Sequence, residues 1–268
     1  MKMELLKYLL LGLVQGIAEA LPISSSGHLM IVKNLFNMNV DYDMIATITN
    51  FGSLIAVIVV FWSDIKELIV DFFKYLKTKN KIYKDNYNYC WMIVLGCIPA
   101  GIMGLVVKKL DLLESLENNI KVVGASLLFT SVMLFCVRKK RGKKKDEDVK
   151  KKEAITVGLF QVLGVFPGIS RSGSTITGGL TSGLSRDTAF KYSFMLYIPL
   201  SLAATGLELL DLHIEKGLIV YYVIAAAVAF TFTLITIKWY RKVFNKGRLA
   251  YFSIYLFIVG LLVLIFLK

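Results

Sequence analysis

Two short stretches of the chain place ionisable and hydroxyl side chains inside otherwise apolar sequence. The first stretch, residues 12–28, contains a carboxylate, Glu19, and an imidazole, His28. The second, residues 158–175, contains a guanidinium, Arg171, among serine and threonine hydroxyls. Ionisable groups are costly in membrane-grade sequence and are a functional-site hypothesis by default. Acid–base chemistry and the binding of an anion such as phosphate are what these groups would serve.

The two stretches are degenerate copies of one another. At a constant offset of 146 residues, the identical pairs include Gly12 and Gly158, Gln15 and Gln161, Ser24 and Ser170, Ser26 and Ser172, and Gly27 and Gly173. The prolines Pro22 and Pro167 fall one residue out of this register. Internal repeats with polar groups at their interface are typical of membrane proteins, so we expect the two stretches to form one site.

Gln15 and Glu19 are candidate metal ligands. They lie four residues apart, so on a helix both side-chain oxygens are on one face. Hard oxygen ligands of this kind suit Mg²⁺ or Ca²⁺, which keep waters and complete their shells with substrate phosphate. The alternative for Glu19 is a buried acid that stays protonated and hydrogen-bonded.

A run of small polar residues follows Pro22 and can begin a helix. Hydroxyls and free amides at such a helix start converge where an anion would sit, and the residues concerned are Ser24, Ser25, Ser26 and Gly27. Ser25 and His28 would share a face at i,i+3 spacing, and histidine suits proton transfer or attack on phosphorus. By itself, a serine run does no more than cap a helix. The other histidine, His213, is expected to be exposed in a polar loop.

Arg171 is the candidate phosphate ligand of the second stretch. It follows a Pro-Gly pair at a predicted helix start, among hydroxyls and amides of Ser170, Ser172, Gly173 and Thr175. A guanidinium there matches phosphate through two parallel hydrogen bonds. The alternatives are an arginine that extends to the membrane interface and one that pairs structurally with Glu19. Together, the groups indicate a site for phosphate carried on a lipid, whose tail the apolar surroundings would hold.

The composition places the chain in a membrane. Hydrophobic residues make up 56% of its 268 residues and the mean hydropathy is +0.63, which is too apolar for a soluble globule. The predicted spans are residues 48–62, 91–107, 122–137, 192–210, 218–237 and 251–267. The first apolar stretch, from Leu5 on, is not a cleavable signal peptide in this interpretation, because Glu19 and Pro22 occupy its cleavage region.

Basic residues are confined to short loops. The formal net charge of +13 is carried mainly by residues 66–84, 138–145, 150–152 and 238–248, whereas the loops at 111–119 and 210–216 are acidic or nearly neutral. The positive-inside rule puts the basic loops in the cytoplasm. Their placement argues against a nucleic-acid partner and favours the lipid bilayer with its anionic headgroups.

Charge counting predicts that the two stretches lie in hairpins of opposite orientation. If the loop at 138–152 is inside and the loop at 211–216 is outside, the span at 192–210 begins inside, so residues 154–190 start and end inside and make no net crossing. A loop inside at 66–84 likewise means that the span at 48–62 begins outside. If the first copy folds as the second does, the amino terminus is outside and the repeats are inverted. Proline and a Ser/Gly-rich turn favour a re-entrant hairpin over two full spans. We therefore predict an all-α polytopic membrane protein with a single domain: repeat one at about 1–137, a cytoplasmic basic loop at 138–153 and repeat two at about 154–268.

Both polar stretches match the motifs of a known family. Residues 15–19, 22–28 and 167–175 resemble the two signature motifs of the undecaprenyl-diphosphate phosphatase family, the integral-membrane, bacitracin-resistance type. The resemblance implies a hydrolase of the bacterial plasma membrane that converts undecaprenyl diphosphate to the monophosphate and recycles the carrier lipid for peptidoglycan. It also implies bacitracin resistance, because bacitracin sequesters the diphosphate form.

The resemblance assigns roles to individual residues. It implies that Glu19 and Gln15 bind a divalent cation, Mg²⁺ or Ca²⁺. The essential histidine of the family maps to His28, its reactive serine to Ser25 and its phosphate-binding arginine to Arg171. The expected mechanism is metal-assisted phosphoryl transfer, in which Ser25 or a water activated by His28 attacks the terminal phosphorus. A covalent intermediate on Ser25, one on His28 and direct hydrolysis stay open, as does the oligomeric state, a homo-oligomer included.

Two other classes of function stay open. Inverted repeats with paired broken hairpins are also transporter architecture, so the same groups could bind a lipid phosphate and carry it across the membrane. A non-catalytic lipid-binding scaffold is the other alternative. The cluster of Glu19, Ser25 and His28 favours the enzyme, because a pure carrier has little use for a nucleophile beside a base. The first stretch is expected to open to the outer face.

Overall fold

The computed structural model describes residues 2–110, 116, 119–211 and 216–267. In this part of the chain the fold is all-α, as predicted, and the β-structure is limited to one isolated bridge between Lys144 and Leu184. The helices are α1 (Lys2–Ala20), α2 (Ser25–Leu35), α3 (Tyr42–Val60), α4 (Trp62–Thr78), α5 (Lys84–Lys109), α6 (Ile120–Val137), α7 (Lys151–Leu163), α8 (Arg171–Thr181), α9 (Arg186–Asp211), α10 (Ile219–Asn245) and α11 (Leu249–Phe266). Short 3₁₀ turns occur at Lys81–Tyr83, Asp146–Asp148 and Lys216–Leu218.

Five helical segments in the described ranges are long and apolar enough to cross a membrane. They are α3, the segment Lys81–Lys109 that contains α5, α6, α10 and α11. They coincide with five of the six predicted spans and confirm a polytopic membrane protein. The remaining predicted span, residues 192–210, lies within α9 and is helical, while its crossing of the membrane stays a prediction. Residues 111–115, 117, 118 and 212–215 of the acidic or neutral loops, His213 among them, lie outside the described residues.

Each polar stretch consists of the end of one helix, a turn and the start of a short helix, which is α2 in the first stretch and α8 in the second. Each short helix has 11 residues. That is roughly 16 Å of helix, about half of the ~30 Å hydrocarbon core of a bilayer. Helix α2 packs on α1 and α6, and α8 packs on α6, α7 and α9. Helix α6 therefore contacts both short helices and holds the two stretches near each other.

Glycines let the helices that carry the two stretches approach their neighbours closely. A Cβ atom on Gly158 of α7 would lie 2.6 Å from the carbonyl oxygen of Gly96 in α5. Gly12 of α1, the equivalent residue of the first copy, faces the backbone of Ala225 in α10 in the same way. Close packing through small residues is a common way for helices to associate in membranes. The same residue thus serves the same contact in both copies.

The basic loop at 138–153 is tied to the helices by polar contacts. The Arg186 guanidinium donates to the backbone carbonyls of Arg138, Lys140 and Phe244. The Lys144 ammonium lies 2.6 Å from the carboxylate of Glu153, which also accepts from the backbone amide of Lys150 at 3.1 Å. These contacts fix the start of α7.

Candidate functional site

Both short helices begin with the same hydrogen bond. The Ser24 hydroxyl accepts from the backbone amide of Gly27 at 3.2 Å, and the equivalent Ser170 hydroxyl accepts from the amide of Gly173 at 3.0 Å. The capping role that a serine run has by default is therefore present in both copies. The two glycine amides are used in these caps.

Ser24 has an unusual backbone conformation at the corner between α1 and α2. Its φ is 71°, in the left-handed region that non-glycine residues rarely adopt, whereas the equivalent Ser170 has a φ of −71°. Such strain persists only where the surrounding structure enforces it, and it is enriched at functional sites. The strained corner belongs to the first copy alone.

Glu19, near the end of α1, is where the two copies meet. Its Oε1 accepts a hydrogen bond from the Arg171 guanidinium, and its Oε2 accepts one from the Ser25 hydroxyl. The amide nitrogen of Gln15, one turn earlier, is 3.1 Å from Oε2. Ser25 and Arg171 are the first residues of α2 and α8 and occupy equivalent positions in the repeat. One carboxylate thus receives a hydroxyl from the first copy and a guanidinium from the second.

A cavity of about 140 Å³ lies over these groups. The residues that line it come from both copies: Ala18, Glu19, Leu21, Ser24, Ser25, Ser26, Gly164, Ile169, Ser170, Arg171 and Ser172. The side chains of Glu19 and Arg171 are only 9% and 22% exposed. With so little water around them, charges interact strongly with each other and with an entering anion. The cavity is therefore built to receive a small anionic group beside a hydroxyl and a carboxylate.

Residues that the sequence analysis missed hold the Arg171 guanidinium. Its central carbon lies 3.7 Å from the centre of the Tyr197 ring, which is buried in α9. The Tyr197 hydroxyl donates to Asn50 Oδ1 in α3 at 2.9 Å, and Asn50 Nδ2 donates to the Ser201 hydroxyl at 2.8 Å. An amide side chain inside a predicted span is a signal that could have pointed to this layer. Stacking on the ring fixes the guanidinium plane and leaves its edge for Glu19 and a ligand.

His28 is directed away from the cavity. Its Nδ1 lies 2.8 Å from the backbone carbonyl oxygen of Ser24, and its Nε2 lies 2.7 Å from the hydroxyl of Tyr255 in α11. Because a carbonyl can only accept, Nδ1 carries a proton, and in the neutral ring Nε2 accepts from the Tyr255 hydroxyl. Ser25 and His28 lie in α2 at the predicted i,i+3 spacing, but their side chains have different partners. Ser25, at the first position of α2, turns back to Glu19 instead.

Thr175 lies one turn into α8, beneath the cavity rather than in its lining. Its side chain is 1% exposed and its hydroxyl is 2.6 Å from that of Ser193 in α9. Its hydroxyl also donates to the backbone carbonyl of Arg171 at 3.0 Å. This contact supports the first turn of α8, so Thr175 affects a ligand only through the position of Arg171.

The donor set around Glu19 suits a divalent cation only when a ligand adds oxygens. Within the described ranges, no three His, Cys, Asp or Glu side chains are grouped for metal binding. Gln15 turns its amide nitrogen towards Glu19 and would have to rotate to offer its oxygen. Mg²⁺ is commonly held by one or two carboxylates together with substrate phosphates. These residues therefore fit such an ion when a phosphate-bearing substrate is bound with it.

Comparison with known proteins places this geometry in context. The family model described as "Bacitracin resistance protein BacA" matches residues 8–262. "Undecaprenyl-diphosphatase 2" of Bacillus thuringiensis (strain Al Hakam) is 40% identical over 266 residues, which cover 98% of this chain and 98% of that protein. "Undecaprenyl-diphosphatase" of Acholeplasma laidlawii (strain PG-8A) is 38% identical over 269 residues, with 96% and 95% of the two chains covered.

Proposed function

This chain belongs to the family of the bacitracin resistance protein BacA, and we propose that its cavity is the active site of an undecaprenyl-diphosphatase. The protein hydrolyses undecaprenyl diphosphate to undecaprenyl phosphate and inorganic phosphate. This reaction recycles the lipid carrier of cell-wall synthesis and confers bacitracin resistance. The observation that carries the assignment of the site is the meeting of Ser25, Glu19 and Arg171 in one cavity. A nucleophile, a base and a phosphate ligand are what phosphoryl transfer requires.

Arg171 binds the diphosphate in this proposal. Its guanidinium is held flat against Tyr197 and lies at the start of α8, where the helix dipole and free amides favour an anion. The hydroxyls that complete the binding site are those of Ser24, Ser26, Ser170 and Ser172. As the diphosphate arrives, Arg171 shares its hydrogen bonds between phosphate and Glu19.

Glu19 acts as the base for Ser25. The Ser25 hydroxyl already donates to Glu19 Oε2, so its proton passes to the carboxylate as its oxygen bonds to the terminal phosphorus. The bond from that phosphorus to the bridging oxygen breaks, and undecaprenyl phosphate leaves. Water then hydrolyses the phosphoserine and Ser25 regains a proton. Direct attack by a water on the same phosphorus gives the same products with the same base. His28 keeps its predicted catalytic role only if its ring leaves Tyr255.

A divalent cation, Mg²⁺ or Ca²⁺, would be held by Glu19 and Gln15 together with phosphate oxygens of the lipid. When bound, such an ion supplies positive charge that offsets the charge developing on the phosphate oxygens. The protein contributes to this arrangement by holding Glu19 at the end of α1, where both of its oxygens are accessible to partners from the two copies.

The architecture that we propose around the site consists of two inverted repeats with re-entrant hairpins, in a single membrane domain. Three features support it: the half-crossing lengths of α2 and α8, their equivalent serine caps, and the equivalent contacts of Gly12 and Gly158. With the basic loops in the cytoplasm, the cavity of this plasma-membrane protein opens to the outer face. Lipid transport by the same groups is not favoured, because a carrier does not need a hydroxyl bonded to a carboxylate.

The decisive experiment measures phosphate release from undecaprenyl diphosphate by the purified protein in detergent, with Mg²⁺, with Ca²⁺ and with a chelator. We expect Glu19→Gln, Ser25→Ala and Arg171→Ala to lose roughly a hundredfold or more of the turnover. Thr78→Ala is the matched control and keeps full turnover, because Thr78 is an exposed residue of α4 and does not line the cavity. Folded wild-type protein that binds the lipid diphosphate but releases no phosphate would contradict the assignment of this site.

A further inference from the structure

A row of polar side chains runs along the contact between α3 and α9. In α9 the row contains Tyr197, Ser201, Thr205 and Glu208, and in α3 it contains Asn50 and Thr47. The α9 residues are spaced by four, four and three positions, so they lie on one helix face. The row contributes hydroxyl, amide and carboxylate groups to a helix contact that is otherwise apolar. We call it the α3–α9 polar row.

At one end, the polar row contacts Arg171, a residue of the cavity lining. Tyr197 carries the Arg171 guanidinium on its ring, and its hydroxyl begins the chain of hydrogen bonds to Asn50 and Ser201. At the other end, the Thr47 hydroxyl donates to a carboxylate oxygen of Glu208 at 2.7 Å, and Glu208 is exposed. Eleven residues of helix separate Tyr197 from Glu208, which corresponds to roughly 16 Å.

Thr205 lies between these two groups of contacts and is buried without a partner. Its side chain is 2% exposed, and its hydroxyl forms no hydrogen bond with any described group. Buried hydroxyls in proteins nearly always have a partner, and where no protein group serves, an ordered water does. A water at Thr205 would join the Asn50–Ser201 contacts to the Thr47–Glu208 contact.

The two ends of α9 give the polar row a direction across the membrane. The amino end of α9 is fixed to the basic loop, since Arg186 donates to the carbonyls of Arg138 and Lys140. Glu208 is near the opposite end of the same helix. With the basic loops on the cytoplasmic side, the row runs from the cavity to the outer face.

We propose that the α3–α9 polar row is a hydrated path that supplies water to the cavity and carries protons from it to the outer face. This inference rests on the proposed function, because hydrolysis of a diphosphate consumes one water and its phosphate product releases a proton as it ionises. While the lipid headgroup fills the opening of the cavity, the row offers water and protons a separate route. Glu208 is the group at the outer end that exchanges protons with bulk water.

Silver-ion accessibility of single cysteines tests the path. Ag⁺ is small and charged, so it reaches a thiol through water and not through hydrocarbon. In a variant with Cys90, Cys97 and Cys136 replaced by alanine, single cysteines are placed as Ser201→Cys, Thr205→Cys and Ala204→Cys. Ala204 is exposed, whereas its neighbour Thr205 is buried. Because the two residues are adjacent in α9, Ala204 controls for depth in the membrane. Ag⁺ is added outside intact cells, and the remaining thiols are then counted with a fluorescent maleimide after denaturation.

We expect Ag⁺ to block the thiols of Ser201→Cys and Thr205→Cys at least ~10-fold faster than the thiol of Ala204→Cys, because a thiol in apolar surroundings keeps its proton and is inert. Equal rates at positions 204 and 205, or no reaction at 201 and 205, would overturn the path and leave the row as a contact between helices. Variants are used only if they elute as wild type does in detergent. Ag⁺ labelling needs no turnover, so a labelled path without phosphate release would contradict the proposed function and not the path.

Thr205→Val supplies a second readout. It keeps the shape of threonine and removes the hydroxyl, so we expect a several-fold lower kcat with an unchanged KM for the lipid, and recovery in Thr205→Ser. A structural role in packing would be preserved by valine better than by serine. Full activity of Thr205→Val together with a defect in Thr205→Ser would therefore also overturn the path.

Discussion

At the scale of single residues, three side chains share the carboxylate of Glu19. It accepts hydrogen bonds from Ser25, Arg171 and Gln15 at once, so each of these partners limits the geometry open to the others. The sequence identifies these four residues because they are polar in apolar surroundings. It does not identify Tyr197 or Tyr255, since a tyrosine in an apolar run has no local pattern that distinguishes a ligand-facing ring from a packed one. Contacts over 152 positions, as between Arg171 and Glu19, are set by the fold.

Tyr197 positions Arg171 through its ring, and two substitutions separate ring from hydroxyl. Tyr197→Leu removes the stacked ring, and a cation–π contact of about 0.5–2 kcal/mol corresponds to a ~2- to 30-fold rise in KM for the lipid diphosphate. Tyr197→Phe keeps the ring, and we expect a smaller change. Steady-state phosphate release measures both. Equal KM values for the two variants would show that the hydroxyl and not the ring supports Arg171.

Tyr255 controls access to Nε2 of His28. Tyr255→Phe removes the hydrogen bond to this nitrogen, so we expect diethyl pyrocarbonate, which acylates an unprotonated imidazole nitrogen, to modify His28 several-fold faster. The measurement uses a His213→Gln background, which leaves His28 as the one histidine of the chain. Tyr251→Phe, one turn earlier on α11 and 61% exposed, is the matched control and should leave the rate unchanged. An unchanged rate in Tyr255→Phe would show that the bond does not protect His28.

At the scale of helices, the sequence predicts existence better than packing. Five predicted spans lie in apolar helices, and both serine runs begin helices, because apolar length and capping residues are local signals. Ser25 and His28 both lie in α2 at the predicted i,i+3 spacing. The spacing does not predict their partners, because Ser25 donates to Glu19 and His28 contacts Ser24 and Tyr255.

The start of α7 depends on Glu153, and its stability contribution depends on pH. Burial by itself raises the pKa of Glu153, but hydrogen bonds from Lys144 and backbone amides hold that pKa below its ordinary value. The carboxylate therefore stabilises the fold above its ordinary pKa of about 4.3, and this contribution is lost as the pH falls through the lower, folded-state pKa. Glu153→Gln should cost about 1–3 kcal/mol at pH 7.

Thermal unfolding in detergent measures this difference. The Tm gap between wild type and Glu153→Gln should narrow as the pH is lowered from 7 to below 4. Glu147→Gln changes an exposed carboxylate of the same loop and should leave Tm within error at every pH. A gap that stays constant with pH would assign the effect to packing of the side chain rather than to its charge.

At the scale of the whole molecule, topology follows from where the cations are. The basic segments at 66–84, 138–152 and 238–248 carry most of the positive charge, and the positive-inside rule predicts that they face the cytoplasm. The structure corrects two of these predicted loops, because residues 66–78 lie in α4 and residues 238–245 lie in α10. Family, activity and membrane class all follow from motifs and composition. The packing of α1 on α10 and of α7 on α5 does not, because small-residue contacts in membranes leave only a weak trace in the sequence.

Reporter fusions test the inverted arrangement directly. A green fluorescent protein fused after Lys145 should fluoresce, because that loop is cytoplasmic, and an alkaline phosphatase fused at Asp211 should be active, because that end of α9 is outside. Fusing each reporter at the other position gives the matched controls, and both should be silent. A fluorescent fusion at Asp211 would put both ends of α9 on one side and contradict the inverted hairpins.

The equivalence of Ser25 and Arg171 bears on how such a molecule could arise from a duplicated gene. Two halves that both carried serine would offer Glu19 two hydroxyls and no cation, and two that both carried arginine would offer no nucleophile. A dimer of identical ancestral halves therefore could not have had the present chemistry at this position. When both halves are encoded in one chain, each can mutate separately. One of the two equivalent positions can then carry the nucleophile and the other the cation.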